Sequence, residues 1–164
     1  MTRGSQERNT RGYFAIGICN GKAAVNQGTL WRSAYQLGAA YVFTVGKRYK
    51  KQSSDTTKTW RHVPMFNWQT FVDLLENRPM DCVLVGIEMG GKPLPEFKHP
   101  DRAIYLLGAE DHGLPKEILD RCNFVVSIPA VGPESYNVSV AGSIVMYDRH
   151  SKRTLDNHKD SVLE

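Results

Sequence analysis

Leu106-Leu107-Gly108-Ala109-Glu110-Asp111-His112-Gly113-Leu114-Pro115 is the stretch on which the reading of this chain turns. It closes the apolar run Ala103 to Leu107 with a glycine, turns through a second glycine, and opens a new segment at Leu114-Pro115. A short, continuously apolar run bounded by turn residues reads as a strand buried on both faces, and proline suits the first turn of a helix. The stretch therefore predicts a strand that passes through a polar turn into a short helix ending near Cys122.

The same alternation extends in both directions. Tyr13 to Cys19 is an aromatic and β-branched strand ending at Asn20-Gly21, and a helix follows from about Gln27 to Leu37, with Asn26 as its cap and Gly38 as its stop. Tyr41 to Val45 is a second strand, Gly46 to Pro64 a long basic loop, Asn67 to Glu76 a helix and Cys82 to Ile87 another strand. Beyond the turn-rich segment Met89 to Pro100 and the opening stretch come a last strand, Phe124 to Ile128, a loop, Pro129 to Tyr136, and a final helix from Asn137 to about His150. Continuous apolar strands separated by helices predict an α/β fold, a parallel sheet covered by helices on both faces.

With 164 residues the chain suits one compact domain, expected over residues 12–154, between a disordered polar tail (1–11) and a polar C-terminal tail (155–164). No apolar stretch has the length of a membrane span, so a soluble, cytoplasmic protein is expected. Cys19, Cys82 and Cys122 sit in apolar sequence without CxxC spacing, which predicts reduced core thiols and no metal site. The net charge of +4 is unevenly placed. Lys47, Arg48, Lys50 and Lys51 surround Tyr49, with Lys58, Trp60, Arg61 and His62 close behind; this is either an RNA contact surface or a solvated loop.

In open parallel sheets, ligands bind beyond the carboxyl ends of the strands, which nominates Asn20-Gly21, Glu88, Gly108 to Glu110, and Pro129 onward. Neither GxGxxG after the first strand nor GxxxxGK[ST] is present, so the two commonest nucleotide fingerprints are absent. Glu110 is suited either to holding loop amides or to meeting a ligand, and Ser135 and Asn137 are suited to a helix cap and its turn.

Three segments in order, Asn26 to Ala34, Leu106 to Pro115, and Ile128-Pro129 leading into Ser135 to Ala141, resemble the three motifs of the SpoU or TrmH-like RNA 2′-O-ribose methyltransferases. The resemblance implies a SPOUT fold with a deep C-terminal trefoil knot, S-adenosylmethionine as cofactor, and a homodimer whose RNA site is shared between subunits. It assigns cofactor binding to Ile87, Glu88, Leu107, Gly108, Ile128, Pro129, Ser135, Tyr136 and Asn137. Arg32 is implied at the reacting ribose, with Asn26, Glu110, Ser135 and Asn137 around it. A guanidinium rarely gives up a proton, so Arg32 is expected to bind the neighbouring phosphate and polarise the hydroxyl.

Many members have Leu or Met where Tyr136 stands, so the packing over the cofactor is expected to differ here. Many also carry a separate N-terminal RNA-binding domain; here the catalytic domain is expected to grip RNA itself through Arg32, Lys47, Arg48, Lys50, Lys51, Arg61, Arg149 and Arg153, with tRNA favoured over rRNA. Two other classes stay open: a catalytically inactive RNA-binding protein of the same fold, and an unknotted nucleotide or metabolite enzyme whose motifs are turn and cap chemistry.

Overall fold

The computed structural model describes residues 12–46 and 58–161. Six strands, β1 (Tyr13–Cys19), β2 (Tyr41–Val45), β3 (Met65–Trp68), β4 (Val83–Pro93), β5 (Arg102–Leu107) and β6 (Phe124–Ser127), form one sheet in the order β3-β2-β1-β5-β4-β6. Every pairing is parallel. The helices are α1 (Ala24–Leu37), α2 (Phe71–Asn77), α3 (Lys116–Leu119) and α4 (Val138–Ser161).

Side chains alternate between two apolar layers, as the two-residue period of a strand requires. Phe14, Ile16 and Ile18 of β1 and Ala103, Tyr105 and Leu107 of β5 join Leu30 and Ala34 of α1 and Val145 and Met146 of α4 on one side. Ala15 and Cys19, with Ile104 and Leu106, pack on the other against Leu74 of α2 and Ile118 of α3. The α/β architecture with helices on both faces is as the sequence predicts, and burial on both faces explains why the strands read as unbroken apolar runs. The three cysteines are free, and burial pushes the thiol of Cys19 up to about 12 and that of Cys122 to about 11.

Several boundaries differ from expectation. Helix α1 starts at Ala24, and its flanking residue Ala23 makes no side-chain cap, so Asn26 lies inside the first turn and is not the cap. Gly38 does end the helix, in the left-handed conformation at φ 81°. Met65 to Trp68 is a strand, paired Phe43 to Phe66 with β2, and the following helix begins only after Thr70, whose side chain and that of Asp73 form a reciprocal capping box. Strand β4 runs past Ile87: after an irregularity, Lys92 and Pro93 pair with Val126 and Ser127 of β6. Helix α4 continues to Ser161, so residues 155–161 are helical rather than a separate tail. The 1–11 tail lies outside the described residues.

A polar cluster fastens α4 to the segment between β4 and β5. Arg149 donates to Tyr105 Oη (3.2 Å), Tyr105 donates to His99 Nδ1 (2.6 Å), and His99 Nε2 donates to Asp148 (2.8 Å). This direction of donation satisfies every atom with His99 neutral, because Arg149 has only donors to offer the phenol. Burial lowers the His99 pKa to about 4, against the opposing pull of the Asp148 carboxylate. Arg149 also donates to the carbonyls of Pro100 (2.6 Å) and Asp101 (2.8 Å), and Lys152 to those of Leu94 and Phe97.

Candidate active site

The turn after β5 is compact because glycine permits two backbone segments to touch. A Cβ on Gly108 would lie 2.1 Å from the carbonyl carbon of Gly113 and 2.3 Å from the nitrogen of Leu114. Gly113, at φ 64°, exchanges backbone hydrogen bonds with Ala109 (3.0 and 3.3 Å). Gly108 therefore serves the packing of its own loop. From the irregular middle of β4, just after Ile87, Glu88 accepts the amide of Leu114 (2.8 Å) and that of Met89 (3.0 Å), so the carboxylate holds this loop in place.

The three motif segments meet through a chain of hydrogen bonds. Glu110 accepts the backbone N–H of Lys22 (3.0 Å) and of Ala23 (3.3 Å), supplying from a distance the cap that α1 lacks locally, and also accepts from Asn26 Nδ2 (2.8 Å). Asn26 Oδ1 accepts from Asn137 Nδ2 (3.1 Å). Asn137 Oδ1 in turn caps α4, taking the N–H and hydroxyl of Ser139 at 2.9 and 2.6 Å. Asn137 thus fills the cap role and the linking role at once.

Burial raises the Glu110 carboxyl, but the hydrogen bonds from Asn26, Lys22 and Ala23 outweigh it and hold the group below the usual carboxylate range. Its neighbour Asp111 is likewise held low, first by the hydrogen bond from the Lys22 ammonium.

Beside this chain lies a cleft of about 560 Å³, within the range of roughly 300–1,000 Å³ usual for small-molecule sites. Of the residues nominated for a cofactor, Ile87, Glu88, Leu107, Gly108, Ile128, Ser135 and Tyr136 line it, as does Glu110. Pro129 and Asn137 stand just outside the lining, Pro129 tied to it by the Tyr136 hydroxyl (2.9 Å). The sequence reading missed Glu134 and Val138, which also line the cleft; their places beside Ser135 and Asn137 were the available signal. Among the described residues no group of three or more His, Cys, Asp or Glu is placed to hold a metal.

Arg32 does not line this cleft; it is exposed on α1, on the stripe that also carries Val25 and Thr29. Of the nominated RNA contacts, Arg61 is exposed beside the Trp60 ring (5.1 Å), while Lys47, Arg48, Lys50 and Lys51 lie outside the described residues. Arg149 is 3% exposed and engaged with Tyr105, Pro100 and Asp101, so it braces the fold and is not a surface contact for RNA. Arg153 pairs with Asp101 at 2.9 Å.

A parallel sheet with a ligand-sized cleft at the carboxyl ends of β5 and β6 and the irregular middle of β4, tied to the first helix by Glu110 and side-chain amides, defines a small-molecule-binding α/β protein. Residues 14–147 match the SpoU rRNA Methylase family, and the chain belongs to it. It is 27% identical over 144 residues to an uncharacterized tRNA/rRNA methyltransferase of Archaeoglobus fulgidus, covering 84% of this chain and 64% of that protein. In fold it is similar to the SpoU methyltransferase AviRb from Streptomyces viridochromogenes, solved in complex with the cofactor AdoMet, with TM-score 0.80, 22% identity, and coverage of 88% of this chain and 59% of that one. A structure concerned with the 2-OH methylation of C/U34 on tRNA is also similar, with TM-score 0.76, 24% identity, and coverage of 87% and 97%. The chain thus spans less than two thirds of the archaeal relative.

Proposed function

We propose that this protein transfers a methyl group from S-adenosylmethionine to a ribose 2′-hydroxyl of RNA, with tRNA the favoured substrate. The observation that carries the reading is that all three motif segments are joined through Glu110, Asn26 and Asn137 beside one cleft, which Glu110 lines. The two similar structures, one holding AdoMet and one concerned with 2-OH methylation on tRNA, support the donor and the acceptor.

The cleft fits such a donor. Ile87, Leu107, Ile128 and Val138 offer apolar walls to a nucleobase, and the Glu134 carboxylate suits a cationic methionine moiety. When bound, S-adenosylmethionine supplies an electrophilic methyl. The chain's residues then have to place the 2′-hydroxyl in line with it and share its proton. Arg32 binds the phosphate next to the target ribose and polarises the hydroxyl, and the phosphate or water takes the proton. Glu110 and Asn26 fix the start of α1 and with it the helix that carries Arg32.

A homodimer accounts for the separation of Arg32 from its own cleft. Val25, Val140 and Tyr147 are 60%, 46% and 64% exposed, and Thr29, Val140, Ile144 and Tyr147 line an apolar groove between α1 and α4. A second copy seated there covers this groove and carries Arg32 towards the partner's cleft. The knot belongs to the same reading, supported by the β4 extension paired with β6 and by the fastening of α4 to residues 94–101. The reading puts the protein in the cytoplasm; no helix among the described residues is long and apolar enough to cross a membrane.

Calorimetric titration tests the reading. Micromolar binding of S-adenosylmethionine or its demethylated product is expected, whereas binding of ATP or NAD in its place points to an unknotted metabolite enzyme. In methyl transfer to RNA, Arg32→Lys loses at least tenfold in rate, because an ammonium does not reproduce the planar fork on a phosphate. A variant with most of its activity removes the phosphate-binding role.

A further inference from the structure

Outside the cleft, several aromatic side chains on and beside α1 are exposed. Tyr35 and His62 stack with ring centroids 4.6 Å apart at 17°. Tyr35 is 39% exposed and His62 is exposed as well. Two residues before His62, Trp60 is 43% exposed, with the Arg61 guanidinium beside it. The short 3-10 turn Thr59–Arg61 that presents these groups is anchored to α1, since Trp31 Nε1 donates to the carbonyl of Val63 at 2.8 Å.

Charge singles out the same surface. Among the described residues from 12 to 72 there are four cations, Lys22, Arg32, Lys58 and Arg61, and not one Asp or Glu; Lys22 pairs with Asp111 at the cleft, which leaves Arg32, Lys58 and Arg61 for this surface. This is the β1-β2-β3 side of the sheet, and Tyr35 lies three residues after Arg32 on α1, which makes the two neighbours on the helix surface.

We propose that Tyr35, His62 and Trp60, with Arg61 and Lys58, form a stacking platform for unpaired nucleotides flanking the ribose that Arg32 addresses. The proposal rests on the RNA-methyltransferase reading and adds to it a preference for single-stranded or looped substrate. Aromatic faces accept any base, while the cations meet the phosphates between them, so this is a sequence-tolerant grip. A duplex keeps its bases stacked on one another and offers the rings nothing to take.

The test is fluorescence anisotropy of the full-length protein with a labelled, unstructured RNA of mixed sequence and with the same RNA annealed to its complement. Single-stranded RNA is expected to bind more tightly. Tyr35→Leu and Trp60→Leu keep apolar bulk without a π face and should each weaken single-strand binding about tenfold. Tyr35→Phe and Trp60→Phe should stay within about twofold, and duplex binding should change by no more than that. Leu variants that bind single strands like the parent, or that lose both RNAs equally, overturn the platform. Methyl transfer is read separately: transfer with unchanged Leu variants leaves the reaction standing without the platform. Platform-dependent binding by a protein that transfers no methyl supports the platform and removes the reaction.

Discussion

Replacing Gly108 by alanine adds one methyl group at the tightest backbone contact of the cleft. Carbon atoms at rest stand about 3.5–4.0 Å apart, so a Cβ at 2.1 Å from the Gly113 carbonyl carbon forces the 108–114 loop open by more than about 1 Å. Both partners in the contact are backbone, so no side chain can rotate away. The movement breaks the paired Ala109 and Gly113 hydrogen bonds and the one from Leu114 to Glu88. At about 1 kcal/mol net for each of the three bonds, plus about 1–3 kcal/mol of overpacking strain, less about 0.4–1 kcal/mol from a stiffer unfolded chain, the cost is about 3–6 kcal/mol. That is a large share of the roughly 5–15 kcal/mol that holds a domain together. Gly132, in the wall of the same cleft, has nothing within 4 Å of its would-be Cβ, and Gly132→Ala should stay within about 0.5 kcal/mol. Urea unfolding followed by tryptophan fluorescence reads both. A Gly108→Ala protein within about 1 kcal/mol of the parent refutes the claim that this glycine exists for loop packing.

Glu110→Ala removes the acceptor for Lys22, Ala23 and Asn26 and should cost about 1–2 kcal/mol in urea unfolding, with Glu110→Gln intermediate; an unchanged midpoint for the alanine variant denies it the capping role. His99 has an ordinary pKa of 6.5 and a folded value of about 4, so the fold favours its neutral form, and its contribution is complete above pH 6.5 and lost as pH falls from there towards 4. The loss amounts to about 3 kcal/mol, and His99→Gln should flatten the stability profile in that window; a profile identical to the parent's contradicts a neutral, buried His99.

The parallel sheet was legible because strands buried on both faces leave continuous apolar runs, and the cleft because its glycines, caps and carboxylates fall at strand ends. Strand β3 was not: Phe66 is 44% exposed, so Met65 to Trp68 lacks the buried pattern of its neighbours, and the helical spacing of Phe71, Leu74 and Leu75 drew the helix boundary back over it. The Thr70 and Asp73 capping box marked the true start. Asn26 misled for a different reason, since an asparagine ahead of an apolar helix reads as its cap, and no local pattern shows that a glutamate 84 residues away supplies that function. Arg149 belongs to a basic helix end in sequence, yet its guanidinium is drawn inward by the carbonyls of Pro100 and Asp101, partners that only the tertiary fold provides.

The most direct test of the central claim is to incubate the protein with RNA and S-adenosylmethionine labelled in its methyl group, then hydrolyse the RNA in alkali. Alkaline cleavage needs a free 2′-hydroxyl. The account predicts label in an alkali-resistant dinucleotide that yields a 2′-O-methyl nucleoside on enzymatic digestion, and none with Arg32→Ala. Label recovered on a base, or no label in RNA under conditions where the cofactor binds, contradicts it.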